Sequence, residues 1–278
     1  MATVLHRGGC IVSDQRRNLF FYYHPSQELD EKLKELFKLA EDNGFTVVEE
    51  SKDANIIIAV GGDGTFLQAV RKTGFRQDCL YVGIRSHNEA GLYCDFNIDD
   101  HQEMIDAMTN SEVEVRRFPV IESTVNGEST FNCINECSVR STLIKSIVID
   151  VYIDDLHFET FRGDGLIIAT PTGSTGYNKS TKGAVVDPKL PCFQVSELAS
   201  VNNNRYRTLG SSFILSGERT LKLEVQQDGN DYPIIGMDNE AYSIRNIHDV
   251  TVKLSDKVIK TVKLKNNTYW DRVKRTFL

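Results

Sequence analysis

The sequence holds no apolar run long enough to cross a membrane, and no basic leader followed by an apolar stretch. Neither a membrane span nor a secretory signal is therefore expected, and the chain reads as cytoplasmic. Basic residues are outnumbered, 32 Lys and Arg against 39 Asp and Glu, for a net charge of −7. That balance argues against a general binder of nucleic acid or anionic membrane. An anionic small substrate stays open, provided that backbone amides, a few Arg or Lys, or a metal supply local charge. The six cysteines form no CxxC, and the six histidines no HExxH. They read as free thiols rather than a disulfide framework or a zinc site. Cys133 and Cys137 lie close enough in sequence to be argued as ligands, but no His or second Cys pair stands near them. What is present is ordinary for a soluble enzyme: 40% hydrophobic and 26% charged residues over 278 positions. Such a chain is neither disordered nor collagen-like, and it is long enough for about two domains with cores of their own.

Residues 1–17 form a polar lead-in with little pattern. From Asn18 the pattern sharpens. NLFFYY (18–23) reads as a buried strand, and Ser26 to Asn43 as a helix with Leu29, Leu33, Leu36, Phe37 and Ala40 on one face. Ser26 suits the N-cap and Gly44 the stop. Strands follow at 45–48, 54–60 and 80–84, with a helix over 66–72 after a glycine-rich loop and another near 102–108. Strands alternating with helices predict an α/β domain, a parallel sheet with crossover helices. From about Val113 the chain changes to strands and tight turns. Asn126-Gly127, Asp154-Asp155 and Asp228-Gly229 mark turns, the first a strong hairpin signal. An all-β sandwich is expected there. The division expected is 1–115 for the α/β domain, 116–250 for the sandwich, and 251–278 for a tail packing back on the first domain. In that tail Trp270, Val273 and Phe277 fall on one helical face.

The chemistry concentrates at Gly61-Gly62-Asp63-Gly64-Thr65, where an apolar strand ends and a helix opens. Ligands in open α/β sheets sit at the carboxyl ends of the strands. Glycines let backbone amides approach a phosphate, and the helix N-terminus adds partial positive charge. A carboxylate there repels an anion, so Asp63 needs another task. It can hold a metal that bridges to phosphate, or accept a proton from a hydroxyl nucleophile. The loop is neither GxGxxG nor GxxxxGK[ST], so neither a dinucleotide fingerprint nor a P-loop is present. With no Lys in it, phosphate charge falls to a metal or to a distant Arg or Lys. A second cluster runs from Arg162-Gly163-Asp164-Gly165 through LIIA to Thr170-Pro171-Thr172-Gly173-Ser174-Thr175-Gly176-Tyr177-Asn178-Lys179-Ser180. Its hydroxyls and amides suit ribose, phosphate or an adenine edge, and Tyr177 offers a ring for stacking. Asn135-Glu136, at the end of FNCIN, carries no signal alone.

Together these residues resemble the NAD kinase family. The resemblance rests on GGDGT (61–65), Asn135-Glu136, FRGDGLIIATPTGSTGYNKS (161–180), GAVVDP (183–188), SELASVNNNRYRTLGSSFILS (196–216) and the tail YWDRVKR. GGDG loops alone also occur in lipid kinases and phosphofructokinases; the 161–180 segment is the specific one. The resemblance implies transfer of the γ-phosphoryl of ATP, or of polyphosphate, to the 2′-hydroxyl of the adenosine ribose of NAD, giving NADP. It implies Asp63 as general base, with Gly64 against the same NAD moiety and Gly61, Gly62, Gly64 and Thr65 at the donor phosphates. Asn135 and Glu136 would bond adenine and ribose. Arg162 and Asp164 would shape the NAD site, Asp164 toward the nicotinamide half. Thr175, Gly176, Tyr177, Asn178, Lys179 and Ser180 would wrap the adenosine, and Asp238 joins them as a candidate. Mg²⁺ would accompany the donor. A homodimer or homotetramer is implied, whose NAD site can borrow residues from a neighbouring copy. Three departures stand out. Residues 85–93 (Arg85-Ser86-His87-Asn88-Glu89-Ala90-Gly91-Leu92-Tyr93) replace a Gly-x-Leu-Gly-Phe pattern, Gly176 replaces an Ala, and Asp238-Asn239-Glu240 replaces an Asp-Gly. The rival readings are a lipid or small-alcohol kinase sharing only the GGDG loop, and a non-catalytic sensor of NAD or NADP.

Overall fold

The computed structural model describes residues 17–87, 91–142, 145–226, 233–243 and 246–278. Cys10 and the rest of residues 1–16, positions 88–90, and the turn at Asp228-Gly229 lie outside the described residues. The chain divides into two compact units. One holds residues up to Arg117 together with Lys260–Leu278, and the other holds Phe118–Ile259.

The first unit is α/β. It runs β1 (Asn18–Tyr23), α1 (Gln27–Asp42), β2 (Thr46–Val47), β3 (Ile56–Gly61), α2 (Asp63–Lys72), β4 (Leu80–Arg85), β5 (Phe96–Asn97) and α3 (His101–Thr109). The strands pair in parallel in the order β2-β1-β3-β4. Both β5 and the end of the long strand Asp249–Leu264 join β4, at Ile84↔Phe96 and Tyr81↔Thr261. The apolar runs make this sheet. Ile57, Ile58, Ala59 and Val60 are all buried, as a strand covered on both faces requires. On one face Leu19, Ile58, Val60, Val82 and Ile84 meet the leucines of α1 and Met104 of α3. On the other Phe66 of α2 stacks on Tyr93, ring centroids 4.9 Å apart. Ser26 caps α1 by accepting the Leu29 amide at 3.3 Å, and Gly44 leaves it with φ +77°. Chain order reverses between β1 and β3, because β1 leads toward β2 on one side and β3 toward β4 on the other. That makes their carboxyl ends the place where a crevice opens.

The C-terminal helix Tyr269–Phe277 is fastened by a Thr268–Asp271 capping box. Its buried side is not the expected one. Trp270 and Phe277 are 48% and 37% exposed, whereas Tyr269 and Arg272 are buried. Arg272 decides the rotation, since its guanidinium bonds Asp95 Oδ1 at 2.6 Å in the interior. A buried carboxylate left without that partner would cost more than two exposed apolar rings.

The second unit is all β. Its strands are β6 (Val113–Val125, from Phe118 on), β7 (Ser129–Cys133), β8 (Glu136–Arg140), β9 (Ile147–Ile153), β10 (Leu156–Gly163), β11 (Gly165–Ala169), β12 (Cys192–Leu198), β13 (Phe213–Ser216), β14 (Leu221–Val225), β15 (Ile234–Met237) and β16 (Glu240–Ser243). One sheet runs β10-β9-β14 and then the strand Asp249–Leu264, with β6 on that strand and β7 on β6; the other runs β13-β12-β11-β8-β15-β16. Ile121, Ile149, Phe161, Leu223 and Val250 from the first sheet share one core with Val139, Ile168, Phe193, Val195 and Ile235 from the second. This is the sandwich that the turn spacing implied. Asn126 and Gly127 both take positive φ, 54° and 68°, closing the β6–β7 hairpin as their pairing predicts. Cys133 and Cys137 are buried in the core as free thiols.

Candidate functional site

In the first unit the GGDGT segment is split between strand and helix. Gly61 ends β3, Gly62 is the N-cap, and Asp63 is already the first helical residue of α2. Gly61 has φ +154°, and a Cβ there would lie 2.3 Å from Thr65 Oγ1, so that position tolerates only glycine. Gly62 and Gly64 are glycine for another reason. A Cβ on either would meet nothing within 4 Å, so their side is open to an incoming group. Beside them, at the β1/β3 reversal, lies a cavity of about 260 Å³ lined by His24, Lys32, Gly61, Gly62, Thr65 and His87, among others. The helix N-terminus supplies partial positive charge there, while the Lys32 ammonium at the cavity wall is paired with Asp99 at 2.8 Å and Glu28 at 3.6 Å.

Asp63 is held from one side. Its Oδ2 accepts the Leu92 amide at 2.7 Å and its Oδ1 the Tyr93 amide at 2.9 Å. Gly91 lies so close that a Cβ on it would stand 2.5 Å from Oδ1. Each carboxylate oxygen still has an unused lone pair, so a fixed carboxylate able to take a proton faces away from the loop. Behind that loop is a feature that the sequence did not disclose. Lys263, fully buried, donates to the Leu92 carbonyl at 3.1 Å, to the Tyr93 carbonyl, and to Asp95 at 3.4 Å. Asp95 also accepts the Leu264 amide at 3.0 Å. Burial pushes Lys263 down to about 8, against the opposing pull of Asp95 and Asp63.

In the second unit Asn135 and Glu136 are gathered with the loop after β11. The Thr170 amide donates to the Asn135 carbonyl at 2.8 Å, and a Cβ on Gly173 would lie 2.0 Å from that same oxygen. Asp238, at φ 53°, accepts the amides of Ile134, Asn135 and Glu136 at 3.1, 2.7 and 3.2 Å. Its carboxylate thereby shapes the Asn135-Glu136 turn. Glu136 is 8% exposed, and its Oε2 is buried without a hydrogen-bond partner. That oxygen lies 3.0 Å from where a Gly176 Cβ would be. Burial first, and then the neighbouring Asp238 charge, push Glu136 up to about 8, against the Tyr177 amide that favours its charged form. The Tyr177 ring carries Arg140 at 5.4 Å.

The remaining predicted residues differ in placement. Thr175 is buried, and Lys179 and Ser180 are exposed. Asn178 is fully buried and spends its amide internally, donating to Ser174 and accepting from Ser196 at 2.6 Å. Arg162 bonds Ser146 at 2.9 Å and lies over the Tyr206 ring, while Asp164 is exposed. Those last two are not brought to Glu136. Gly165 pairs with Arg140 and Ala169 with Glu136, so Asp164, one residue before β11, stands about 17 Å from the Glu136 end at 3.3 Å per residue. For a metal, no group of three or more His, Cys, Asp or Glu that could hold one exists among the described residues. These residues do not form a cage for a resident ion.

Comparison with known proteins decides the family. The chain is 63% identical to NAD kinase 2 of Bacillus subtilis over 267 residues, covering 96% of this chain and all of that protein. This chain belongs to the NAD kinase family. NAD kinase 2 of Oceanobacillus iheyensis is 61% identical, over 95% of this chain and 99% of that one. The family model for the ATP-NAD kinase C-terminal domain matches residues 134–264. In fold, this NAD kinase family enzyme is similar to an Archaeoglobus fulgidus NAD kinase in complex with ATP, with a TM-score of 0.74 at 24% identity over 93% of this chain and 98% of that one. It is also similar to yeast NADH kinase complexed with NADH, with a TM-score of 0.75 at 17% identity over 93% and 85%. No described helix is long and apolar enough to cross a membrane.

Proposed function

We propose that this enzyme transfers the γ-phosphoryl group of ATP to the 2′-hydroxyl of the adenosine ribose of NAD, giving NADP and ADP. The bond from the 2′-oxygen to phosphorus forms, the bond from phosphorus to the β–γ bridging oxygen breaks, and the hydroxyl proton passes to Asp63. The observation that carries this reading is the Asp63 carboxylate, fixed by two backbone amides at the N-terminus of α2 beside a cavity open to phosphate. Phosphoryl transfer is mainly positioning and charge stabilisation, so a fixed base and a helix N-terminus are the parts it asks for. Gly61, Gly62, Gly64 and Thr65 take the donor phosphates at the N-terminus of α2. Asn135 and Glu136 bond the adenosine, with Thr175, Gly176 and Tyr177 beside them. Asp238 and Asn178 act one step back, by holding these segments in shape. Lys179 and Ser180 stand at the exposed edge of the same loop.

A divalent cation such as Mg²⁺ would accompany the donor and would supply charge at the phosphates that Gly61, Gly62, Gly64 and Thr65 take. The working form is a homodimer or homotetramer in the cytoplasm. Asp164, remote from Glu136 along β11, and Arg162, two residues before it on β10, then serve the NAD site of a neighbouring copy. Incubation with NAD, ATP and Mg²⁺, read by an NADP-specific dehydrogenase, tests the reaction, and a parallel tube with polyphosphate settles the donor. Binding of NAD without turnover in either tube would turn the reading to a sensor. Light scattering on the eluting peak checks the assembly.

A further inference from the structure

The base is fixed by a loop, and the loop is fixed from beneath by residues from the far end of the chain. Leu92 and Tyr93 give their amides to Asp63 and their carbonyls to Lys263. The same two peptide segments thus join a buried ammonium to the carboxylate. Lys263 and Arg272 are 0% and 1% exposed, and both bond Asp95. Asp95 and Arg272, at 2.6 Å, neutralise one another. Lys263 is then the surplus cation, and Asp63 is among the anions that favour its charged form. A lone buried ammonium costs several kcal/mol unless its charge is answered. A merely structural spacer would be met more cheaply by an apolar side chain.

We infer that Lys263, seated by Asp95 and Arg272, is a positioning residue for Asp63, acting through the 92–93 peptides. The inference rests on Asp63 being the base. It concerns the orientation of the carboxylate, so it belongs to kcat and not to substrate affinity. Lys263→Met keeps the side-chain length, removes the charge, and leaves the Asp95–Arg272 pair intact. A displacement of about 1 Å at a reacting group costs on the order of 100-fold.

The test is a double-mutant cycle with Asp63→Asn, in the full-length enzyme. Lys263→Met is expected to lower kcat by about 30–100-fold while both KM values stay within about threefold. In the Asp63→Asn background the same change is expected to lower the residual rate by less than about twofold. Should Lys263→Met fold poorly, Lys263→Gln provides the same cycle, since it too removes the charge and leaves the Asp95–Arg272 pair intact while keeping a donor for the carbonyls. A folded Lys263→Met enzyme with parental kcat would overturn the inference. So would a loss that multiplies unchanged onto Asp63→Asn, because that marks a general structural effect. If Asp63→Asn itself leaves kcat unchanged, the base assignment fails first and this inference with it.

Discussion

Replacing Glu136 by Gln separates a buried acid from a buried carboxylate. Burial and the Asp238 charge hold Glu136 at about 8, against an ordinary value of 4.5. Between those two values the folded protein keeps a proton that the unfolded chain releases. Stability therefore falls as pH rises through that window; the contribution is fully present below the unfolded value and gone above the folded one. The difference of more than three units corresponds to roughly 4–5 kcal/mol across the whole window. Gln cannot ionise and carries no such penalty. With 2–4 °C per kcal/mol for a chain of this size, Glu136→Gln should melt within about 2 °C of the parent at pH 5 and about 10 °C above it at pH 8.5. The assay is thermal unfolding of both proteins without nucleotide at half-unit steps of pH. A difference in melting temperature that stays flat from pH 5 to 8.5 would refute the reasoning. It would mean that Glu136 is ionised in the folded protein, its charge answered by a group other than those seen here.

Further outcomes follow from the glycines and the cavity. Gly62→Ala places a methyl where nothing lies within 4 Å, so melting should be unchanged while the KM for ATP rises about tenfold. Gly173→Ala drives a methyl to 2.0 Å from the Asn135 carbonyl; it should lower stability by about 2–3 kcal/mol and abolish NAD binding by calorimetry. Equal behaviour of those two variants would contradict the division between an open cradle and a packed turn. Lys32→Ala strips Asp99 and the cavity-lining Glu28 of their cation, so it should raise the KM for ATP about tenfold with that for NAD within about twofold.

Much of this was legible because apolar runs and turn residues are local signals. Strands β1, β3 and β4 show as runs of Ile, Val, Phe and Tyr, and Asn126-Gly127 announces its own hairpin. The expected start of α2 at Phe66 fell three residues late, because glycines conceal a first helical turn whose side chains are not yet apolar. The tail failed for a stronger reason. Periodicity picked Trp270, Val273 and Phe277 as the buried face, but a charge pair 177 residues apart in sequence turned Arg272 inward instead. Lys263 was hidden by the same logic. It alternates with Val262 and Leu264, which in a half-exposed strand would put it in solvent, whereas this strand is covered on both sides. The Asn135-Glu136 turn is likewise tertiary, built by Asp238 from about 100 residues on. The candidate site residues come from the sequence by resemblance, but which of them pack inside, as Asn178 does, and which stand at the surface, as Lys179 does, needed the structure.

Asp63 as the group that takes the 2′-hydroxyl proton is the assignment on which the proposed mechanism depends. The most direct measurement compares the parent with Asp63→Asn for NADP formation from NAD, ATP and Mg²⁺, with melting and NAD binding followed on the same samples. Metal-dependent NADP is expected from the parent, and a fall of about 10³-fold or more in kcat from Asp63→Asn, with fold and NAD binding kept. Turnover by Asp63→Asn at the parental rate, or a parent that binds NAD and makes no NADP, would contradict it.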